Sequence, residues 1–412
     1  MRIKLSRALA PALLAAAALT GVALASGSFG DNPRTGRGGL IRPAGDDAGF
    51  TTVFKSALGI EGLTGDDKGN LYTAARAAAA DSPCPITRVR VSGGGPVLVG
   101  NLPAPCGPAG LAFDDAGRLY VTDGGDGQIH VLTPSADSPP TATVFATGVP
   151  GANGVAFDGR GNLWVSDGTT SQGRVWRIGS NGVPVEVFRV QPMVNEVNVV
   201  SGVGGVGRDP RSAPPASVTI TPTSRSAANT LGSQHLVANG LAFTRDGTLF
   251  VADTARGAIW RVKLGRGGAL RSPVGCDSTF TANTLCLDNV FVAHPFLEGA
   301  DGIALDRAGN IWVAANERNA VVVVTRDGRT VEFFRNAPDA GTQLRNTGPL
   351  EFPTSPFLTG RTLCLTHSDG SRRDNFPNTG GEVGPGTTPA AVAKISCLDR
   401  PLHVPGLPLP VR

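Results

Sequence analysis

Five stretches of this 412-residue chain open on Glu61, Ala109, Asn153, Asn239 and Asp301, and each opening residue is followed by glycine. A looser sixth stretch opens at Thr354 or Ser355. Brought to one point, Glu61, Asn153, Asn239 and Asp301 would present two carboxylates and two amide carbonyls, hard oxygen ligands with a formal charge of minus two. That set suits Ca²⁺, or another divalent cation, with water or substrate completing a shell of about six to eight oxygens. Asn-Gly and Asp-Gly are also common turn dipeptides, which is a competing reading. Glu61 speaks against it, because glutamate has no comparable turn preference.

A second recurring position holds Asp66/Asp67, Asp114/Asp115, Asp158, Asp246 and Asp306, each close to a glycine. Hairpin chemistry accounts for it: aspartate caps its own turn and glycine supplies positive φ. A third position, at the end of each second strand, reads Ala75, Asp123, Asp167, Asp253, Ala315 and His367. Asp123, Asp167 and Asp253 are candidates for a substrate mouth, although such residues also serve to hold neighbouring loops. His367 is a candidate general base at the same end, or a loop histidine. His235 and His294 precede ring positions by four and seven residues and are further mouth candidates.

G-x-S-x-G, H-E-x-x-H and P-loop patterns are absent from the sequence. A hydrolase built on this chain therefore has to rely on the metal, which can polarise a lactone, ester or phosphoester oxygen while a carboxylate takes a proton from water.

The elements that must position these residues follow from the repeat. The unit ANGLAFTRDGTLFVADTARGAIWRV, residues 238–262, contains an apolar run, an Arg-Asp-Gly turn, a returning apolar run and the start of a third. That is an antiparallel meander. Its clear copies are EGLTGDDKGNLYTAA, AGLAFDDAGRLYVTD, NGVAFDGRGNLWVSD and DGIALDRAGNIWVAA, and the looser one is SPFLTGRTLCLTH. Their glycines stand at 62, 110, 154, 240 and 302, intervals of 48, 44, 86 and 62. Repeats of roughly 40 to 50 residues with about four short strands indicate an all-β, six-bladed β-propeller of four-stranded antiparallel blades. The ring positions then start the innermost strands and converge on the axis.

The long interval contains an insertion at about 191–236, rich in Gly, Pro, Ser and Thr, which would hang over the ring end as a lid. Residues 1–25 read as a secretory signal peptide, with Arg2, Lys4 and Arg7 before an apolar run and Ala23-Leu24-Ala25 at its end. Residues 26–48 read as a flexible lead-in, and 49–412 as the propeller. The expected location is secreted or periplasmic, with no membrane partner after cleavage. Phe50–Ser56 is the candidate outer strand that closes the sixth blade, and the proline-rich tail Leu402–Arg412 is its rival.

Six cysteines in an exported chain permit disulfides. Sequence alone leaves fifteen pairings; the blade arrangement favours Cys84–Cys106, Cys276–Cys286 and Cys364–Cys397. The net charge of +4 is small, and the sequence has no basic run beyond Arg372-Arg373, so no nucleic-acid partner is expected.

The series EGL, NGVAFD, NGLAFTRDG and DGIALDRAGNIWVA resembles the senescence marker protein/gluconolactonase/luciferin-regenerating enzyme family of six-bladed calcium propellers. The resemblance spans roughly residues 50 to 400. It implies one catalytic Ca²⁺ held by Glu61, Asn153, Asn239 and Asp301, with Asp301 also accepting the proton from water. The implied function is a calcium-dependent hydrolase of lactones or related esters, with a small ester or lactone as substrate; the export signal, the cysteines and the insertion are departures from the cytosolic sugar-lactonases, and with the signal the hydrolase is expected to be exported. Two alternatives remain. One is a non-catalytic, NHL-like binding propeller with a structural ion. The other is a metal-dependent lyase on a propeller, which would need His294 or His367 as base.

Overall fold

The structure, a computed structural model, describes residues 41–45, 47–191, 234, 236–338, 340, 345–346, 348–370, 373–375 and 393–410. The signal peptide, residues 26–40 of the lead-in, His235 and residues 192–233 of the insertion, with its expected role as a lid, lie outside the described residues.

Six four-stranded antiparallel sheets are arranged as blades. After an opening strand β1 (Phe50–Ser56), blade one comprises β2 (Thr64–Gly65), β3 (Asn70–Ala74), β4 (Cys84–Arg90) and β5 (Val97–Leu102). Blade two comprises β6 (Pro108–Phe113), β7 (Leu119–Asp123), β8 (Gln128–Leu132) and β9 (Thr143–Thr147). Blade three holds β10 (Ala152–Phe157), β11 (Leu163–Asp167), β12 (Arg174–Ile178) and β13 (Pro184–Arg189). Blade four holds β14 (Leu241–Phe243), β15 (Leu249–Asp253), β16 (Ala258–Val262) and β17 (Val290–Ala293). Blade five holds β18 (Ala300–Leu305), β19 (Ile311–Ala315), β20 (Ala320–Val324) and β21 (Thr330–Arg335). Blade six takes β22 (Pro353–Thr359), β23 (Thr362–His367) and β24 (Ala393–Leu398), and β1 pairs antiparallel with β24 to complete it. The strand nearest the N-terminus thus closes the ring.

The tail takes another place. Its residues 402–410 cross the end of the propeller away from the ring positions. Leu407 N donates to Leu305 O at 2.8 Å and Gly406 N to Gly360 O at 2.7 Å. Leu407, Leu409 and Pro410 cover an apolar cavity of about 100 Å³ lined by all six innermost strands. The end of the lead-in is also packed rather than free: Ala44 N donates to Phe333 O at 2.7 Å, and Ile41 lies against the core of blades five and six.

Aromatic residues tie blade to blade. The ring of Tyr72 meets Phe113, Tyr120 meets Phe157 and Trp164 meets Phe243, all edge-to-face at 4.9 to 5.7 Å. Burial of these rings adds to the aliphatic core, with about 0.5–1.5 kcal/mol more per ring pair from geometry. The turn aspartates finish the same layer. Asp158 accepts from Arg160 N and Asn162 N, and from Trp164 Nε1 at 3.0 Å. Asp306 repeats the arrangement with Ala308, Asn310 and Trp312. These carboxylates are occupied by hairpin chemistry.

All six cysteines are bonded, as Cys84–Cys106, Cys276–Cys286 and Cys364–Cys397. The last pair sits directly across the β23–β24 ladder and fixes the strand to which β1 attaches.

Candidate functional site

Four of the innermost strands are irregular at their start. Register shifts fall between Pro108 and Leu111, Ala152 and Val155, Ala300 and Ile303, and Pro353 and Pro356. The ring residues Ala109, Asn153 and Asp301 lie inside these bulges, which release them from ladder pairing and re-aim their side chains. The glycine that follows each ring residue is forced by the neighbouring blade. A Cβ on Gly240 would stand 2.5 Å from Asp301 O, and one on Gly302 2.5 Å from Thr354 O. Gly62, Gly110 and Gly154 face the carbonyls of Ala109, Asn153 and Asn239 still more closely. Inner strands can crowd the axis only where a side chain is missing.

Glu61, Asn153, Asn239 and Asp301 line one axial cavity of about 70 Å³, with Ser355 on its sixth side. Thr354 is the sixth ring residue by its carbonyl, but its hydroxyl turns away to donate to Glu61 O at 2.7 Å. Burial pushes the Glu61 carboxyl up, opposed by Arg76 and by a hydrogen bond with Asn153. Arg76 Nη2 stands 3.9 Å from Glu61 Oε2 and is largely exposed. Burial, and next the charge of Glu61, hold Asp301 well above the usual carboxylate range; Asn316 and Asn239 pull the other way. Two carboxyl groups thus share a small cavity, and among the described residues that line it there is no Lys or Arg. Among the described residues no three His, Cys, Asp or Glu side chains gather at one point. The donors at the axis are two carboxylates joined by two amides, a set that fits a hard divalent cation.

Two features of the site were not read from the sequence. Asn316 Nδ2 donates to Asp301 Oδ2 at 2.8 Å, and Gln234 Nε2 donates in turn to Asn316 Oδ1 at 3.0 Å. Asn316 is 1% exposed, in the short turn after β19. A run of four polar residues there, Asn316 to Asn319, was the available signal. The second feature is a circle of hydroxyls. Thr122 Oγ1 donates to Asn153 O, Ser166 Oγ to Asn239 O and Thr366 Oγ1 to Glu61 O, each at 2.6 Å. Every one of them precedes the third recurring position by one residue, so a ring residue is held by the blade before it.

The mouth candidates are placed elsewhere. Asp123, Asp167 and Asp253 are fully buried and none lines the axial cavity. Asp123 accepts from Gly107 N and Gly125 N, both at 3.0 Å. Asp167 accepts from Thr170 and from Arg174 Nε at 2.6 Å, yet burial outweighs the arginine and lifts its pKa to about 6. Asp253 accepts from Arg256 and from Trp260 Nε1 at 2.9 Å. All three carboxylates hold loops. His294 follows β17, the strand of its blade farthest from the axis, and its Nδ1 accepts from Phe296 N at 3.1 Å.

His367, expected at the mouth, is fully buried within blade six. Its Nδ1 accepts from Glu351 N at 3.2 Å, so Nε2 carries the proton toward Ser396 Oγ at 2.7 Å. Burial, then Lys394, keeps its pKa well below the ordinary value. Both ring nitrogens are engaged, and neither is open to a substrate.

Residues 198–339, which include Asn239 and Asp301, match the family model described as SMP-30/Gluconolactonase/LRE-like region. Over that stretch the chain is similar to this family. Residues 106–132, in blade two, match an NHL repeat. Among curated proteins, the chain is 24% identical to "Lactonase drp35" of Staphylococcus aureus (strain bovine RF122 / ET3-1) over 268 residues, 59% of this chain and 74% of the relative. Among solved structures, the match to a luciferin-regenerating enzyme covers 88% of this chain and 98% of that one, at 14% identity and a TM-score of 0.52. The PQQ-bound aldose sugar dehydrogenase of Streptomyces coelicolor covers 87% and 99%, at 16% identity and a TM-score of 0.52. At these identities the two structures share the propeller fold alone with this chain.

Proposed function

We propose that this SMP-30-like propeller is a calcium-dependent hydrolase of lactones or related esters, with its active centre at the axial cavity. The observation that carries the reading is the convergence of Glu61, Asn153, Asn239 and Asp301 on one small cavity where burial and mutual repulsion raise the Asp301 pKa. The curated relative at 24% identity is named a lactonase, which supports the substrate class. The two carboxylates and two amides would hold the ion. When bound, Ca²⁺ supplies fixed positive charge and Lewis acidity toward a carbonyl oxygen.

The chain's own residues do the rest. Asp301 is the proton acceptor for the attacking water, because its carboxylate stands in the axial cavity beside the other ring donors. Asn316 keeps Oδ2 of that carboxylate in place. The glycine collar and the hydroxyl circle fix the ring residues so that no side-chain rearrangement is needed on binding. His367 has no part in proton transfer. The three disulfides favour an oxidising location, secreted or periplasmic. Among the described residues no helix is long and apolar enough to cross a membrane.

The NHL match over residues 106–132 favours a second reading, a binding propeller whose ion only holds the blades. Metal analysis of the purified protein, with hydrolysis of a panel of lactones and aryl esters before and after chelation, decides between the two. Bound calcium with chelator-sensitive turnover is the expected result. Calcium without turnover on any ester would replace the hydrolase by the binding propeller.

A further inference from the structure

At the end of the propeller away from the ring, neighbouring blades leave grooves beside their first hairpin turns. Because the blades repeat, these grooves can be compared position by position. The sixth residue after each ring position is Asp67, Asp115 and Gly159 in blades one to three, and Arg245 and Arg307 in blades four and five. The groove between blades two and three, about 510 Å³, is lined by Asp114, Asp115 and Asp158 beside Arg118 and Arg160. The groove between blades four and five, about 360 Å³, is lined instead by Arg245, Arg261, Arg307 and Arg326. Its positive charge is therefore not a requirement of the fold.

Nor is that charge neutralised within the groove. Asp306 is buried, with both oxygens taken up by the turn and by Trp312 Nε1. Asp246 accepts from the Thr244 hydroxyl. All four arginines are exposed, and none forms an ion pair among the described residues. Under them lies an aromatic floor: Arg261 stands 4.7 Å over the Phe291 ring, and Phe291 packs on Phe250 at 5.5 Å.

We propose that the groove between blades four and five binds a small organic anion, a carboxylate or phosphate joined to an aromatic or apolar group. Planar guanidiniums match both anions in paired hydrogen bonds. The volume falls in the range of small-molecule sites, about 300–1,000 Å³. An extended polyanion is disfavoured, because the adjoining surface presents Asp66, Asp67, Asp114 and Asp115 next to Arg245. The site is separate from the axial ring and does not depend on its chemistry.

The test is calorimetric titration of the full chain with phenyl phosphate and with inorganic phosphate, at low and high salt. Phenyl phosphate is expected to bind at one saturable site about tenfold more tightly than inorganic phosphate, through contact with Phe250 and Phe291, and to weaken as salt rises. The double variant R245E/R307E is expected to lose at least about tenfold in phenyl phosphate affinity while its calcium response is unchanged. Arg326→Gln, a milder change at an exposed side chain, is expected to lose severalfold and covers the case in which the double variant misfolds. Equal affinity for the two phosphates, or phenyl phosphate binding untouched by either variant, would overturn the proposal.

Discussion

The Thr366 hydroxyl donates to the main-chain oxygen of Glu61 at 2.6 Å, so the last blade grips the first through a residue that lines the axis. Closure of the propeller and placement of the ring carboxylate are thereby one structural event. The same bond recurs from Thr122 to Asn153 and from Ser166 to Asn239. Each ring residue therefore depends on its neighbouring blade for position, and the site can be perturbed from outside the cavity.

The ring makes opposite demands with and without metal. Burial raises both carboxyl pKa values and the charge of Glu61 raises that of Asp301 further, so the ionised pair costs stability in metal-free protein at neutral pH. Asp301→Asn is expected to melt at or above the wild-type temperature after chelation, and to lose the stabilisation of about 2.7 kcal/mol that a hundredfold excess of calcium over Kd gives wild type. Asp301→Ala is expected to abolish ester turnover with the fold retained. A calcium-induced shift in Tm that survives Asp301→Asn would remove Asp301 from the ligand set.

Asn316 positions Asp301 without lining the cavity. A hydrogen bond to a charged group contributes about 1.5–3 kcal/mol, so Asn316→Ala is expected to weaken calcium binding by about tenfold or more. Asn316→Asp adds a third negative charge beside Asp301 and should weaken turnover more than the alanine does. Titration of metal-free protein with calcium reads the effect directly, and unchanged affinity in both variants would reduce Asn316 to a loop residue.

The glycine collar is sensitive to a single methyl group. Gly240→Ala drives a Cβ against Asp301 O, an overpacked contact expected to cost about 1–3 kcal/mol and to displace the ring. Gly247, at φ +83 with nothing within 4 Å, is the control: its alanine variant carries only the cost of a left-handed backbone, about 1 kcal/mol. Equal losses of stability, with calcium binding intact in both, would show that the collar does not set the ring.

Asp167 gives a pH signature. Its pKa of about 6 in the folded chain lies above the ordinary 3.8, so the folded state holds the proton more tightly than the unfolded state. That contribution is fully present below about pH 4 and is lost as pH rises through about 6. The shift of about two units corresponds to about 3 kcal/mol. Denaturant unfolding of wild type, referred to Asp167→Asn at each pH, should show wild type losing that amount between pH 4 and 7. A difference that stays flat with pH would mean that the Arg174 ion pair cancels the burial.

Much of this architecture is a property of the sequence taken by itself. The meander repeats, the order Glu61, Asn153, Asn239 and Asp301, the closing strand Phe50–Ser56 and the cysteine partners were all legible. The repeats and the ring order depend on spacing along the chain and on the alternation of apolar residues within single blades, which are local matters, and the prolines of the tail pointed to Phe50–Ser56 as the closing strand. Only the tertiary structure decided that Asn316 holds Asp301, that Thr122, Ser166 and Thr366 latch successive blades, and that His367 lies engaged inside blade six rather than facing the cavity. It also decided that the tail covers the far end of the channel and that four arginines from two blades meet in one groove. These relationships arise where blades meet, between residues far apart in sequence. They depend on which carbonyl or guanidinium a neighbouring blade presents, and no periodicity within a single blade encodes that.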